Sequence, residues 1–220
     1  MRINKYVALS SKLSRRSADK AIEAGSVKVN GKPVIAGYNV QPKDVITLNG
    51  SKLLIPTSTT IIFNKPTGYV VSREGQGSET IYDLLPEDLS LLNPVGRLDK
   101  GSSGLLLLTN DGQLAQELTH PSHQKDKVYL LDLYMRLSPA DQKAIETGVE
   151  LEDGISKLKL QGADKSWQVT LSEGRNRQIR RTFAKLGYTV AKLHRIQIGK
   201  IKLGNLKPGK WEKLENKFSK

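Results

Sequence analysis

The sequence predicts an α+β fold, in which a largely antiparallel sheet forms the core and helices flank it. Strand-like and helix-like segments alternate along the chain, but without the regular strand-helix-strand spacing of a doubly wound parallel sheet. An Asn30-Gly31 pair lies between two short apolar runs, and this is the commonest signal for a two-residue hairpin between antiparallel strands. Residues 127–135, KVYLLDLYM, alternate with the period of a strand, which places Tyr129 on one face with leucines and Met135.

The first 50 residues are predicted to form a compact unit of a helix and a hairpin. Ser14 can cap a helix through RRSADKAIEA, and Gly25 can end it. The hairpin around Asn30-Gly31 follows, and a further strand, Val45 to Leu48, ends at a second Asn-Gly pair. We interpret the next segment, residues 51–60, as a linker because Pro56 and a Ser/Thr run change its character.

Residues 61–220 are predicted to form the second, larger domain. Strands are expected at 61–64, 69–72, 104–108, 127–135, 167–174 and 187–199. Helices are expected at 111–120, at 138–148, where Ser138-Pro139 opens the helix and Gly148 closes it, and in the basic segment that follows residue 174.

Charge is the clearest global feature of the chain, which has 35 Lys and Arg against 22 Asp and Glu, a net charge of +13. Residues 1–50 hold nine basic and three acidic residues, residues 51–120 hold five and eight, and residues 121–220 hold 21 and 11. Two basic segments around a slightly acidic middle suit a polyanion. Aromatic residues make up only 5%, which favours phosphate contacts in structured nucleic acid over base stacking along a single strand.

The composition also excludes several kinds of site. Cysteine is absent, so the chain has neither disulfides nor thiolate metal ligands. His120 and His123 form an H-x-x-H pair, but no cysteine or carboxylate pattern accompanies it, and we expect no metal site. No apolar run reaches about 18 residues and the N-terminus turns polar quickly, so we expect a soluble, cytoplasmic protein without a signal peptide or membrane partner.

Residues 96–112, GRLDKGSSGLLLLTNDG, place Asp99 between an arginine and a Gly-Ser loop. A phosphate-binding P-loop is excluded because Ser102 stands where the lysine is required, and the glycine register does not fit a nucleophile elbow. Two interpretations remain open on the residues alone. Asp99 either caps a backbone amide in a turn or is a functional carboxylate.

Residues 172–187, SEGRNRQIRRTFAKLG, form a helical pattern with Ile179 and Phe183 on the apolar face. The opposite, basic face carries Arg177, Arg181 and Lys185. Arg180 falls at the boundary between the faces, where an arginine can pair with a partly buried carboxylate and keep it ionised. For Tyr129 two interpretations stay open, either a core tyrosine with its hydroxyl at the edge or a ring that packs against a planar substrate.

Five segments in order, together with residues 1–50, resemble bacterial ribosomal RNA pseudouridine synthases of the RsuA/RluB/RluF family. The segments are NKPTGYV at 64–70, GRLDKGSSGLLLLTNDG, KVYLLDL, SEGRNRQIRR and KLHRIQIG. Residues 1–50 resemble the small RNA-binding module shared with ribosomal protein S-four. Ser102-Ser103 replaces the Thr-Ser pair common in the family, and the positions that resemble its catalytic residues show no departure.

The resemblance implies an enzyme that isomerises a specific uridine of ribosomal RNA to pseudouridine. The target RNA is expected to be large-subunit 23S rRNA, with small-subunit 16S rRNA as the alternative. Because the reaction is an isomerisation, no cofactor is expected, and we expect a monomer. The rival interpretation is a non-catalytic RNA-binding or ribosome-assembly protein, which would have no need for Asp99, Tyr129 and Arg180.

The resemblance also implies roles for individual residues. The catalytic residues would be Asp99, as nucleophile or base, Tyr129 beneath the base, and Arg180 as the partner of Asp99. The substrate-binding residues would be Arg97, which holds the target nucleotide out of its stack, Leu193 on the other side of the base, Lys65, Arg177 and Arg181. The RNA-anchoring residues of the first domain would be Lys5, Lys12, Arg15, Arg16 and Lys20.

Overall fold

The computed structural model describes residues 1–119 and 125–214. The H-x-x-H pair of His120 and His123 lies outside these residues. No helix of the described ranges is both long enough and apolar enough to cross a membrane. The contacts divide the chain into two compact units, the first made of Met1–Thr59 with Pro86–Leu92 and the second of Thr60–Leu85 with Asn93–Lys220.

The first unit contains two helices, a short 3₁₀ helix and a four-stranded antiparallel sheet. The helices are α1 (Ile3–Ser10), α2 (Arg15–Glu23) and the 3₁₀ helix Glu87–Leu89. The strands are β1 (Val27–Val29), β2 (Lys32–Pro33), β3 (Ile46–Leu48) and β4 (Ser51–Lys52), in the order β2-β1-β3-β4. The helices pack on the sheet through a small apolar core of Ile3, Val7, Ala18, Ile22, Val27, Val29, Ile46 and Leu53.

Local sequence signals determine α2 and the hairpin that follows it, as predicted, whereas helix α1 was not predicted. The Ser14 side chain accepts a hydrogen bond from the Ser17 amide and caps α2, and Gly25 takes a φ of +70° just beyond the helix. Asn30 and Gly31 have φ of 52° and 80°, the left-handed pair that a type I′ hairpin requires.

The linker differs from the prediction at its beginning. A second Asn-Gly pair, Asn49 and Gly50, has φ of 51° and 81° and returns the chain as β4, which pairs with β3. Leu53 is then buried in the core of the first unit. Residues 51–53 therefore belong to the first unit, because the turn adds one more strand before the chain leaves it.

The second unit is built around a nine-stranded sheet. Its strands are β5 (Thr60–Lys65), β6 (Asn93–Val95), β7 (Ser103–Thr109), β8 (Lys127–Leu133), β11 (Lys159–Ala163), β12 (Ser166–Leu171), β13 (Val190–Ile198), β14 (Ile201–Lys202) and β15 (Trp211–Lys213). The order is β11-β12-β8-β13-β7-β5-β15, with β6 paired to β7 and β14 to β13. A separate hairpin joins β9 (Val149–Leu151) and β10 (Gly154–Ser156).

The helices of this unit are α3 (Gly112–Thr119), α4 (Pro139–Thr147), α5 (Gln178–Lys185) and the 3₁₀ helix Ile81–Leu84. The α+β prediction, with a mainly antiparallel sheet, is confirmed. The predicted strand at residues 69–72 is wrong, since Val70 forms only an isolated bridge with Thr80. Met135 does not share the Tyr129 face either, because β8 ends at Leu133 and Met135 is exposed.

One parallel pair within this mainly antiparallel sheet brings β13 next to β7, the strand that follows the Asp99 loop. His194 and Arg195 of β13 pair with Ser103 and Gly104 of β7, and the Ser103 hydroxyl is 2.9 Å from His194 Nδ1. Gly104 has a φ of +105°, and a Cβ there would lie 2.2 Å from the Arg195 carbonyl oxygen. Only glycine allows the strands to approach this closely.

Candidate active site

The second unit carries an open cleft of about 940 Å³ that is lined in part by the central strands β8 and β13. Its wall comes from the loop before β7, from β8, from the β9–β10 hairpin, from the loop before α5 and from β13. Asp99, Arg97, Tyr129 and Leu193 all line it, as do Arg177 and Arg180. The fold therefore collects in one place side chains that are up to 96 positions apart in the sequence.

The cleft is strongly basic. Its described lining includes eight cationic side chains: Arg97, Lys125, Lys127, Lys157, Arg175, Arg177, Arg180 and Arg195. The carboxylates of the same lining are Asp99 and Glu173. Such a balance favours a phosphate-bearing ligand and holds Asp99 in a field of positive charge.

The loop that carries Asp99 is held from beneath by Lys65. The Lys65 side chain is fully buried, and its Nζ donates to the carbonyl oxygens of Pro66 at 2.9 Å, Asp99 at 3.2 Å and Ser102 at 2.8 Å. Burial lowers the pKa of Lys65 to about 8, although Asp99 opposes the shift. The predicted substrate contact of Lys65 is therefore corrected, because its ammonium is buried and donates to the carbonyl oxygens of Pro66, Asp99 and Ser102.

The Asp99 carboxylate meets Arg177 rather than Arg180. Arg177 Nη1 lies 3.7 Å from Asp99 Oδ2, and the Asp99 side chain is 30% exposed at the cleft surface. Arg177 is not on the basic face of the helix, as the pattern had predicted, because it precedes α5 with a left-handed φ of 46°. A non-glycine residue in this conformation is uncommon and marks a local constraint, here next to the carboxylate.

Arg180 supports the Asp99 loop through its backbone. Its Nη2 donates to the Gly101 carbonyl at 2.8 Å and its Nη1 to the Val190 carbonyl at 3.0 Å, so the expected hydrogen-bonded ion pair with Asp99 is replaced by two carbonyl contacts. Burial and Arg177 lower the pKa of Arg180, whereas the nearby Asp99 raises it. Arg180 thus contributes charge to the site and ties the Asp99 loop to β13.

Arg181 has a structural role that differs from the predicted RNA contact. Its Nη2 donates to Asp153 Oδ2 at 2.6 Å, and this hydrogen bond lowers the pKa of Asp153. Arg175 binds the same hairpin turn, since its guanidinium donates to the carbonyl oxygens of Asp153, Gly154 and Ile155 at 2.9–3.0 Å. Together the two arginines fasten the β9–β10 hairpin to the segment that begins α5.

Tyr129 and Leu193 lie on adjacent strands, β8 and β13, and both are more than nine-tenths buried. Arg195, which no sequence pattern had singled out, is 3% exposed and lies on β13 directly opposite Tyr129. Arg195 Nη1 is 3.4 Å from the Tyr129 hydroxyl. The sequence could have indicated Arg195, because it is two residues from Leu193 in a predicted strand and therefore faces the same side.

In the first unit, the residues predicted to anchor RNA are on or near the two helices. Lys5 is half-buried on α1, whereas Arg15, Arg16 and Lys20 are exposed on α2. Lys12 is exposed in the turn between the helices and forms an ion pair with Glu87 at 3.0 Å. Most of these cations are therefore accessible to solvent.

These side chains form a site for a planar, phosphate-linked group. An aromatic ring and an aliphatic side chain can pack against a flat base, and the carboxylate of Asp99, next to Arg177, can act as a nucleophile or a base. No cluster of His, Cys, Asp and Glu that could hold a metal ion occurs within residues 1–119 and 125–214.

The chain is similar in sequence and in structure to known RNA pseudouridine synthases. Residues 59–185 match the family described as RNA pseudouridylate synthase, and residues 1–46 match the S4 domain. The ribosomal large subunit pseudouridine synthase B of Bacillus subtilis is 36% identical, over 94% of this chain and 89% of that protein. The dual-specificity RNA pseudouridine synthase RluF of Escherichia coli is 35% identical, over 97% and 75% respectively. A crystal structure of a pseudouridylate synthase superposes with a TM-score of 0.70 at 34% identity, covering 98% of this chain and 96% of that one.

Proposed function

This chain belongs to the RNA pseudouridylate synthase family, and we propose that it isomerises one specific uridine of ribosomal RNA to pseudouridine. Members of the family are RNA uridine isomerases, so the chain is an enzyme and the alternative of a non-catalytic ribosome-assembly protein is set aside. The proposed target lies in large-subunit 23S rRNA, because the relative from Bacillus subtilis bears that specificity in its name. Small-subunit 16S rRNA is the second candidate.

The reaction breaks the bond between N1 of uracil and C1′ of ribose, turns the base, and joins C5 to the same carbon. The proton lost from C5 is balanced by the proton that N1 carries in the product, so no redox or energy cofactor is required. The observation that carries the proposal is the carboxylate of Asp99, which lies in a basic cleft beside Arg177. In this proposal Asp99 acts as nucleophile or base.

The remaining cleft residues take positioning and binding roles. Tyr129 packs beneath the base and Leu193 packs on its other side, while the exposed Arg97 holds the target nucleotide out of its stack. A uridine within paired RNA must be flipped out at a cost of a few kcal/mol. Phosphate contacts from the basic cleft and from the first domain would offset that cost.

The two-domain organisation is part of the proposal. Residues 1–59 together with residues 86–92 would form the RNA-anchoring domain, and the rest of the chain from residue 60 would form the catalytic domain. The basic helices of the first domain and its match to the S4 domain support this division. We further propose that the protein acts as a monomer in the cytoplasm, where ribosomal RNA is modified.

Pseudouridine mapping of ribosomal RNA tests this function. Cells that lack the protein should lose pseudouridine at one position of 23S rRNA, and the wild-type gene should restore it. Asp99→Asn keeps the size of the side chain and removes its charge, so it should bind RNA almost normally but restore nothing. Single-turnover assays on rRNA fragments should show the same loss.

Asp111→Asn is the matched control. The Asp111 carboxylate caps α3 by accepting hydrogen bonds from the amides of Gln113 and Leu114 at 2.8 and 3.1 Å, and an asparagine oxygen can do the same. This variant should restore the modification in full. An unchanged pseudouridine map in cells without the protein, or substantial turnover by Asp99→Asn, would refute the proposed function.

A further inference from the structure

Arg195 is a buried arginine that the mechanism above does not use. It is 3% exposed, and its Nε donates to the Leu105 carbonyl oxygen at 2.8 Å. Its Nη1 donates to the Tyr129 hydroxyl at 3.4 Å, and its guanidinium carbon lies 5.9 Å from the centre of the Tyr129 ring. Arg195 thus links the strand that follows the Asp99 loop to the aromatic wall of the cleft.

The cation of Arg195 is incompletely satisfied. Within the described part of the chain its guanidinium forms no ion pair with a carboxylate. Its Nη2 is buried and has no hydrogen-bond partner among residues 1–119 and 125–214. A buried donor without a partner lowers stability, and such groups in native structures call for an explanation. Because Arg195 lines the cleft, a bound ligand can supply the missing acceptor.

Other cleft groups are less suited to this contact. Arg180 uses both terminal nitrogens on backbone carbonyls, and Arg177 lies against Asp99. Arg175 has an unpaired Nε, but its terminal nitrogens are fixed to the β9–β10 hairpin. The hydroxyl of Ser102 is also buried and unpaired, and it is the competing candidate. Only Arg195 among these residues also contacts Tyr129, the ring proposed to lie beneath the base.

We propose that Arg195 is a base-recognition residue, whose Nη1 orients the Tyr129 phenol while Nη2 donates a hydrogen bond to a carbonyl oxygen of the bound uracil. The inference rests on the proposed function. Uracil presents acceptors at O2 and O4, and a charged donor in a cleft forms stronger hydrogen bonds than a neutral one. The contact would hold the flipped base in a defined orientation against the ring.

The test replaces one carbonyl oxygen of the target uridine with sulfur, a much weaker acceptor. Synthetic rRNA fragments would carry uridine, 2-thiouridine or 4-thiouridine at the mapped position, and product nucleosides would be quantified. For the wild-type protein, one of the two sulfur substitutions should lower kcat/KM by about tenfold. In Arg195→Met, which is similar in length but has no donor, turnover of uridine falls and the ratio between uridine and that thiouridine drops to about one.

Two controls separate recognition from a purely structural effect. Arg136→Met removes an exposed arginine whose guanidinium is 3.7 Å from Asp164 Oδ1, and it should keep the wild-type ratio. Ser102→Ala should also keep it. If Arg195→Met does not fold, Ser102→Ala still keeps the inference falsifiable, because loss of the sulfur penalty in that variant would overturn it.

Each other result overturns the inference. Equal wild-type turnover of all three substrates would show that no such hydrogen bond contributes, while conversion of uridine itself would leave the proposed function intact. A sulfur penalty that persists in Arg195→Met, or that disappears in Ser102→Ala, would assign the donor elsewhere. Failure of the wild-type protein to convert uridine would instead overturn the proposed function, and this inference with it.

Discussion

At the scale of single residues, the cations around Asp99 have two different roles. One contacts the Asp99 side chain, and the others bind the backbone of the loop that carries it. Arg177 lies beside the Asp99 side chain, whereas Lys65 and Arg180 bind carbonyl oxygens on the two sides of the same loop. A carboxylate that must act chemically needs an ionised form and a rigid position. Lys65 and Arg180 provide the second of these by fixing the backbone of the loop.

Lys65 leads to a prediction about pH. Its pKa in the folded protein is about 8, below the ordinary value of 10.5, so between these values the unfolded chain binds more protons than the folded one. The free energy of unfolding should therefore gain up to about 3 kcal/mol from this group as the pH rises through that window. Below pH 8 Lys65 is charged in both states, and the cost of burying its charge lowers the free energy of unfolding in full.

Urea denaturation at pH values across this window, compared between wild type and Lys65→Met, measures the effect. The difference in unfolding free energy between the two proteins should change with pH in the direction given, since other titrating groups are common to both. Lys143→Met, which removes an exposed lysine of α4, should follow the wild-type dependence. Parallel curves for wild type and Lys65→Met would contradict the prediction.

At the scale of elements, the parallel pairing of β13 with β7 builds the site. It places the strand of Leu193 and Arg195 beside the strand that follows the Asp99 loop. The antiparallel pairing of β13 with β8 then brings Tyr129 opposite Arg195. The three strands form a rigid floor, which suits a site in which small displacements reduce the rate strongly.

Gly104→Ala tests this arrangement. The new Cβ would lie 2.2 Å from the Arg195 carbonyl oxygen and 2.6 Å from its nitrogen, at a φ of +105°. Both the overlap and the backbone strain should force β13 away from β7 and lower the free energy of unfolding by roughly 2–4 kcal/mol. Urea denaturation measures the loss, and turnover should fall with it.

The matched glycine is Gly112, at the start of α3. A Cβ there meets no other atom within 4 Å, so Gly112→Ala should leave stability unchanged or raise it by up to about 1 kcal/mol. If Gly104→Ala were as stable as Gly112→Ala, the close approach of β7 and β13 would not be a requirement of the fold.

At the scale of the whole molecule, positive charge is concentrated in the first unit and in the cleft of the second. Each lost phosphate contact lowers the slope of log affinity against log salt by about 0.7–0.9. Replacing Arg15, Arg16 and Lys20 together by Gln should therefore lower the slope for rRNA binding by about 2–3. Single-turnover rates at saturating protein should stay close to wild type, because these residues belong to the first unit.

A triple variant of equal charge change provides the comparison. Arg136, Lys143 and Lys165 are exposed in the second unit and do not line the cleft, so replacing them by Gln should change the slope much less. Binding titrations over a range of salt concentrations measure both variants. Equal slopes for the two triple variants would mean that the first unit is not the RNA anchor.

The sequence by itself determined the elements whose signals are local. Ser14 and Gly25 predicted the limits of α2, the Asn30-Gly31 pair predicted its hairpin, and the run of leucines predicted β7. These signals suffice because caps, turns and burial patterns depend on neighbours within a few residues. The prediction of a strand at residues 69–72 was wrong, because an apolar run does not indicate whether a partner strand lies next to it in the fold.

The identities of the principal cleft residues were also within reach of the sequence, because ordered motifs resembled a known family at Asp99, Tyr129 and Arg180. Their contacts were not. Helical periodicity placed Arg180 beside a carboxylate, but the left-handed backbone of Arg177 and the parallel pairing of β13 with β7 decided which guanidinium meets Asp99 and which meets a carbonyl. Contacts of this kind depend on segments about 80 residues apart, whose relative placement is set by strand register and not by local pattern.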